Sequence, residues 1–292
     1  MDAKLLKGFY TALIVEGGAL RGIFSTGVLD AFLEARFNPF DFYIGVSSGA
    51  SNLAAYLAEM KGRNHRIYTD YSLRPEFISF ARFFRGGHLL DLDWLWNITI
   101  QEIRLDLSAI YSRGKPFIVV MTDVQTGEAI YRPTCAQDIE HVLKASSAVP
   151  LFYRDYPIVD GRPMTDGGVA DAIPVSEAIR RGGRHIMVIR SRPREYVKRR
   201  GPSDFLLQWY LRWTPSLRVA IRGRVNRYNE AVALIRRPPD GVSIIEICPP
   251  KNFRVSRLSQ NLSILEEGYE QGRTAAAEAM ARWQALKKSS PS

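Results

Sequence analysis

Phe42-Tyr43-Ile44-Gly45-Val46-Ser47-Ser48-Gly49 is the stretch on which the reading of this chain turns. Its first three residues are a short apolar run of strand character. Gly45-Val46-Ser47-Ser48-Gly49 then fits the pattern G-x-S-x-G, and Ser48 through Met60 reads as a helix rich in small residues. A strand that turns sharply into a helix lifts the central serine out of the sheet edge. Small neighbours allow the tight turn, and the helix N-terminus favours negative charge beside the serine. Ser47 is therefore a candidate nucleophile, with Gly45 and Gly49 as its supports. The competing reading is a glycine-rich turn whose serine only caps the helix.

The same strand–turn–helix arrangement precedes it. Thr11 to Val15 reads as a buried strand, and Gly22 through Ala35 carries Ile23, Val28, Leu29, Ala31 and Phe32 at helical spacing. Between them lies Glu16-Gly17-Gly18-Ala19-Leu20-Arg21-Gly22. Glycines there let successive backbone N–H groups point at one anion, such as the oxyanion of an acyl-transfer intermediate. A phosphate loop is the alternative, but the Gly-Lys-Ser/Thr of a P-loop and a full G-x-G-x-x-G are both missing.

A serine nucleophile needs a base. His65, His88, His141 and His185 fall outside any evident active-site loop, and His185 opens a strand, where a structural role is expected. Asp166-Gly167-Gly168 is a glycine turn that leaves a carboxylate accessible. A partly desolvated carboxylate can accept a serine proton directly. Taken alone, Asp-Gly-Gly is a common turn.

Together these three pieces resemble the patatin-like phospholipases, specifically their bacterial branch. That family carries a glycine-rich loop ending in Arg-Gly, a G-x-S-x-G serine and an Asp-Gly-Gly or Asp-Gly-Ala aspartate, in that order. Ala145-Ser146-Ser147-Ala148-Val149-Pro150 and Thr122-Asp123 with Thr126-Gly127-Glu128 also look like the family, and the resemblance covers roughly residues 10 to 190. It implies a three-layer α/β/α sandwich with a mostly parallel central sheet. Ser47 and Asp166 would form a catalytic dyad, and the amides of Gly17, Gly18 and Ala19 an oxyanion hole. Arg21, Gly22, Gly167 and Gly168 would support them. The activity implied is lipid acyl-ester hydrolysis, as phospholipase A, lysophospholipase or carboxylesterase, with no metal or cofactor. One position departs from the pattern: Ala19 stands where the family usually has a third glycine. If that residue adopts positive φ, the hole is strained; if not, the methyl group is harmless.

The remaining chain fits one α/β domain with a helical C-terminal segment, divided as residues 8–192 and 193–288. Lys115 to Val120 reads as a strand, Thr126-Gly127 as a turn, and Glu128 to Tyr131 as the returning arm of a hairpin. Helices are expected over Ala136–Ala145, from Pro174 to Arg181, over Phe205–Trp213, Val219–Leu234 and Leu262–Leu286. Ile158 to Met164 reads as turn-rich and extended. Strands are expected over His185–Arg190 and Val242–Ile247. Phe77 to Trp96 reads as irregular and aromatic, a candidate wall or lid for an acyl pocket or simply core.

The chain has 292 residues, 46% hydrophobic and 24% charged, an ordinary globular balance. Disorder is expected only at the Lys-Lys-Ser-Ser-Pro-Ser end. Cys135 and Cys248 do not make a disulfide framework and are expected to be free thiols in a reducing, cytoplasmic compartment. Lys4 and Lys7 precede an apolar stretch that stops at Glu16, which does not read as a signal peptide. The net charge is +10, and nine Lys or Arg residues crowd Arg180 to Arg200, with seven arginines from Arg212 to Arg237. Such a field attracts anionic lipid headgroups or nucleic acid. No nucleic-acid-binding motif supports the second, whereas Trp209-Tyr210-Leu211-Arg212-Trp213 suits peripheral contact with an anionic membrane, at its inner face. The alternatives to a hydrolase are a non-catalytic lipid-binding or regulatory protein on the same fold, and a basic nucleic-acid-binding protein. Oligomeric state is not readable from the sequence.

Overall fold

The computed structural model describes residues 10–289. Lys4, Lys7 and the last three residues of the expected disordered tail fall outside them. The tail's first three positions continue the final helix instead, which runs to Ser289.

The strands are β1 (Tyr10–Val15), β2 (Phe42–Val46), β3 (Phe117–Asp123), β4 (Ala129–Pro133), β5 (Ile158–Val159), β6 (Arg162–Asp166), β7 (Gly183–Ile189) and β8 (Ser243–Ile247). They join in one sheet, ordered β5-β6-β3-β2-β1-β7-β8, with β4 paired to β3. The pairs β3–β2, β2–β1, β1–β7 and β7–β8 are parallel. The hairpin partner β4 and the β5–β6 hairpin run antiparallel, which makes the sheet mixed.

The helices are α1 (Ile23–Glu34), α2 (Ser48–Leu57), α3 (Arg63–Thr69), α4 (Phe80–Phe84), α5 (Leu92–Ile103), α6 (Leu107–Ser112), α7 (Ile139–Ser146), α8 (Val175–Arg180), α9 (Pro202–Tyr210), α10 (Pro215–Arg236) and α11 (Leu262–Ser289). Side chains alternate across a strand, so each strand feeds two cores. Leu13, Val15, Tyr43, Val119 and Met187 pack with α1, α2, α7 and α11 through Phe24, Leu53, Val142 and Trp283. Ala12, Ile14, Ile44, Val120 and Val188 pack with α8 and α10 through Ala178, Val232 and Ile235. Helix, sheet and helix layers are the expected three-layer α/β/α sandwich.

Two glycines bring α1 and α11 into close contact. A Cβ on Gly27 would lie 2.1 Å from the Tyr269 carbonyl oxygen, and one on Gly272 would lie 2.1 Å from that of Phe24.

The aromatic stretch is more ordered than its composition suggests. Within Phe77 to Trp96, expected to be irregular, α4 and the start of α5 form. Ser79 accepts from the Arg82 amide (3.2 Å) and Asp91 from the Trp94 amide (2.9 Å), each capping its helix. Tyr68, Phe77, Leu90 and Leu95 make a third cluster beside the ends of β1 and β2. Both cysteines are free.

Candidate active site

Ser47 sits between β2 and α2 with φ 52° and ψ −130°, and only 5% of its surface is exposed. The flanking glycines contribute space rather than positive φ. A Cβ on Gly45 would lie 2.4 Å from Ala50 Cα, and one on Gly49 2.4 Å from the Val15 carbonyl oxygen. The left-handed strain of the elbow therefore falls on the serine itself, which is where a functional outlier is expected. The Ser47 amide donates to Ser146 Oγ (2.8 Å), and Ser146 Oγ donates to the Val120 carbonyl (2.6 Å). This ties the elbow to α7 and β3.

Asp166 ends β6. Thr122 Oγ1 donates to its carbonyl (2.8 Å), and its own amide donates to the Ala148 carbonyl (3.0 Å). The carboxylate accepts from the Gly168 amide (2.8 Å). Gly167 is held by close approach, since a Cβ there would lie 2.2 Å from the Val120 carbonyl oxygen. Burial raises the Asp166 pKa above the ordinary carboxylate range, while the Ser47 hydroxyl, Arg224 and the Gly168 amide pull it back. The stretch from Ala145 to Pro150 thus steadies both residues, Ser146 from one side and Ala148 from the other.

The loop after β1 closes over Ser47. A Cβ on Gly17 would lie 2.8 Å from Ser47 Cβ, so only glycine fits. The Gly18 amide already donates to Ser48 Oγ (2.9 Å). The amides of Gly17 and Ala19 have no hydrogen bond among the described residues. Ala19 adopts φ 50°, so the strained alternative is the one realised. Residues 19–22 then form a 3-10 turn leading into α1, and the Gly22 carbonyl accepts from Asn52 Nδ2 (2.8 Å) of α2.

A buried ionic cluster, not singled out in the sequence, anchors this loop. Glu16 accepts from the Ser191 amide (2.7 Å) and the Tyr228 hydroxyl (3.1 Å). Fully buried Arg190 donates to Glu246 (2.6 Å) and Tyr228 (2.8 Å) and lies 3.7 Å from Glu16. The Arg21 guanidinium donates to the Ser191 carbonyl (3.2 Å) and hydroxyl (3.3 Å). These partners come from the residues just after β7, from α10 and from β8, too far apart in sequence for a local pattern to reveal them.

Two cavities meet at Ser47. One, of about 110 Å³, is walled largely by apolar side chains including Ile67, Phe77, Leu92, Leu95, Trp96 and Leu143. The aromatic stretch does line it. The other, of about 50 Å³, also contains Asp166 and is basic. Among the described residues, none of the four histidines lines either cavity. His185 pairs with Thr11, four residues and roughly 13 Å down β1 from the end that carries the site.

The chain resembles known proteins in the same terms. The model of the patatin-like phospholipase family matches residues 13–179. A second model, of a domain of unknown function (DUF6363), matches residues 214–288. "Uncharacterized protein YjjU" of Escherichia coli strain K12 is 35% identical over 273 residues, covering 90% of this chain and 74% of that protein. Patatin-like phospholipase domain-containing protein 7 of Mus musculus is 24% identical over 93% of this chain, which spans 21% of the mouse protein. The crystal structure of VipD from Legionella pneumophila is 15% identical, covers 94% of this chain and 67% of its own, and superposes with a TM-score of 0.49. By the match of its family model over more than half of its length, this chain belongs to the patatin-like phospholipase family.

Proposed function

We propose that the protein is a lipid acyl-hydrolase that uses Ser47 as nucleophile and Asp166 as its base. The observation that carries this reading is the meeting of a strained, buried serine and a raised-pKa carboxylate at the junction of an apolar and a polar cavity. Ser47 Oγ attacks the ester carbonyl while Asp166 takes its proton. The amides of Gly17, Gly18 and Ala19 face the developing oxyanion, and Ser48 Oγ yields the Gly18 amide to it. Asp166 returns the proton to the leaving alcohol, and water releases the acyl group by the same steps in reverse. Each oxyanion donor is worth roughly 100- to 1,000-fold in rate.

On the same reading the enzyme works at an anionic membrane surface. Phe205, Trp209 and Trp213 are 70%, 63% and 83% exposed, and the Arg212 guanidinium stacks 4.4 Å and 5.4 Å from the two tryptophan rings. No helix among the described residues is long and apolar enough to cross a membrane.

A fluorophosphonate probe should label the wild-type protein at Ser47 and leave Ser47→Ala unlabelled. Asp166→Asn should label at least 100-fold more slowly, on the order of a general-base contribution. A folded wild-type protein that binds lipid vesicles but takes no label would leave the non-catalytic reading in its place.

A further inference from the structure

We propose that the basic cavity beside Ser47 is a headgroup subsite for the phosphate of an anionic glycerophospholipid, built mainly by the segment that follows the catalytic half of the chain. This rests on the hydrolase reading and gives it a substrate class. Arg21, Arg192, Lys198, Arg224 and Arg257 line the cavity, against the two carboxylates of Glu16 and Asp166. Neither carboxylate is available to a ligand. Glu16 is held from behind by Ser191, Tyr228 and Arg190, and Asp166 by the Gly168 amide and the Ser47 hydroxyl. With Lys198 uncharged at neutral pH, the four arginines still exceed the two carboxylates by two positive charges in the cavity that Ser47 lines.

The cations crowd one another. Burial, then Arg224 and Arg257, depress the Lys198 pKa to about 6, and burial, then Arg257 and Arg192, depress that of Arg21 to about 9. Like charges held in one partly desolvated space are relieved by an anion, and arginine forks suit the oxygens of phosphate. In a glycerophospholipid the phosphate lies a few bonds from the scissile carbonyl. A phosphate in this cavity leaves the acyl chain to the apolar cavity on the other side of Ser47. A choline or ethanolamine group finds no uncommitted carboxylate among the lining residues, so lipids of net negative charge fit best.

The origin of these residues gives the later part of the chain a task. Arg192 and Lys198 follow β7, Arg224 is on α10, and Arg257 lies between β8 and α11. All four are outside the family match over residues 13–179, and Arg224 and Arg257 fall inside the match over 214–288.

The test uses short-chain lipids below their micelle concentration, so that membrane charge plays no part. The wild-type enzyme should hydrolyse dihexanoyl-phosphatidylglycerol with kcat/KM at least tenfold above dihexanoyl-glycerol, with dihexanoyl-phosphatidylcholine between them. In Arg224→Gln and Arg257→Gln that ratio should collapse by about 10- to 100-fold, as expected for loss of a charge-assisted phosphate contact. Arg224→Lys should recover part of it. Equal kcat/KM for the phosphate and neutral lipids in wild type, or an unaltered ratio in both folded variants, overturns the proposal.

Equilibrium binding separates this outcome from failure of the hydrolase reading. Calorimetry with hexyl phosphate and with inorganic phosphate needs no turnover. Hexyl phosphate should bind wild-type protein at least tenfold tighter than Arg224→Gln, with proton uptake at neutral pH as Lys198 becomes charged. Inorganic phosphate binding as tightly as hexyl phosphate would make the cavity a free-phosphate site and overturn the lipid assignment. Absence of hydrolysis with hexyl phosphate binding intact would sink only the catalytic reading.

Discussion

Of the six non-glycine residues with positive φ among the described residues, two, Ser47 and Ala19, belong to the site. Each costs about 1–2 kcal/mol, which the surrounding packing must supply. For Ser47 the strain aims the hydroxyl. For Ala19 it means that the loop keeps its shape without the family's third glycine. Asp166 adds a third local cost. An unfolded Asp titrates near 3.9. Burial raises the folded value, so the native state holds its proton more tightly between the two. Stability therefore falls as pH rises through that window, and ionised Asp166 opposes folding at neutral pH. Asp166→Asn should abolish hydrolysis yet melt higher than wild type at pH 7, by about 2–4 °C for each kcal/mol recovered. In wild type, kcat/KM should fall on the acid side with a midpoint above 3.9, because the base must be ionised. A midpoint at or below the ordinary value would remove Asp166 from that role.

At the scale of elements, α9 and the short turn after it present Phe205, Trp209 and Trp213 to solvent. Replacing both tryptophans by alanine should weaken partition onto phosphatidylglycerol vesicles by about tenfold or more in a sedimentation assay. The melting temperature should stay put, since neither ring is buried. The sequence was legible here as a helix, because Phe205 to Trp213 runs without Gly or Pro, and α9 with the turn after it covers that stretch. It was legible around Ser47 for a related reason: a strand, a glycine turn and a helix follow one another without interruption, and local order decides them. From Phe77 to Trp96 the reading was poorer. Gly86-Gly87 and the run of aromatics hide the helical period, and the informative signals were single capping residues, Ser79 and Asp91. The start of α8 and the hairpin arm β4 were visible because Pro174 and Thr126-Gly127 punctuate them.

At the scale of the molecule, sheet order was not legible. β1 pairs with β7 across more than 170 residues, and β8 then adds to β7. Nothing local encodes such pairings. The same holds for the basic cavity. The charge runs were visible, but only distant positions such as Arg21, Lys198, Arg224 and Arg257 converge on it. The α1–α11 crossing gives a whole-molecule prediction. Gly272→Ala improves helix propensity by about 1 kcal/mol, yet it places a methyl group against the Phe24 carbonyl. A net loss of about 1–3 kcal/mol, read from thermal melts, is expected from the overpacking. Equal or greater stability would mean that the two helices slide apart at little cost.

That crossing also has a bearing on how the protein is made. Gly27 and Gly272 are far apart in the sequence, and synthesis runs at about 5–20 residues per second. The serine elbow leaves the ribosome well before α11, the helix that closes the layer behind α1. Gly27 and Gly272 are 245 residues apart (272 − 27), so the face of α1 that meets α11 stays uncovered on the nascent chain for roughly 12–50 s, long enough for a ribosome-bound chaperone to hold it.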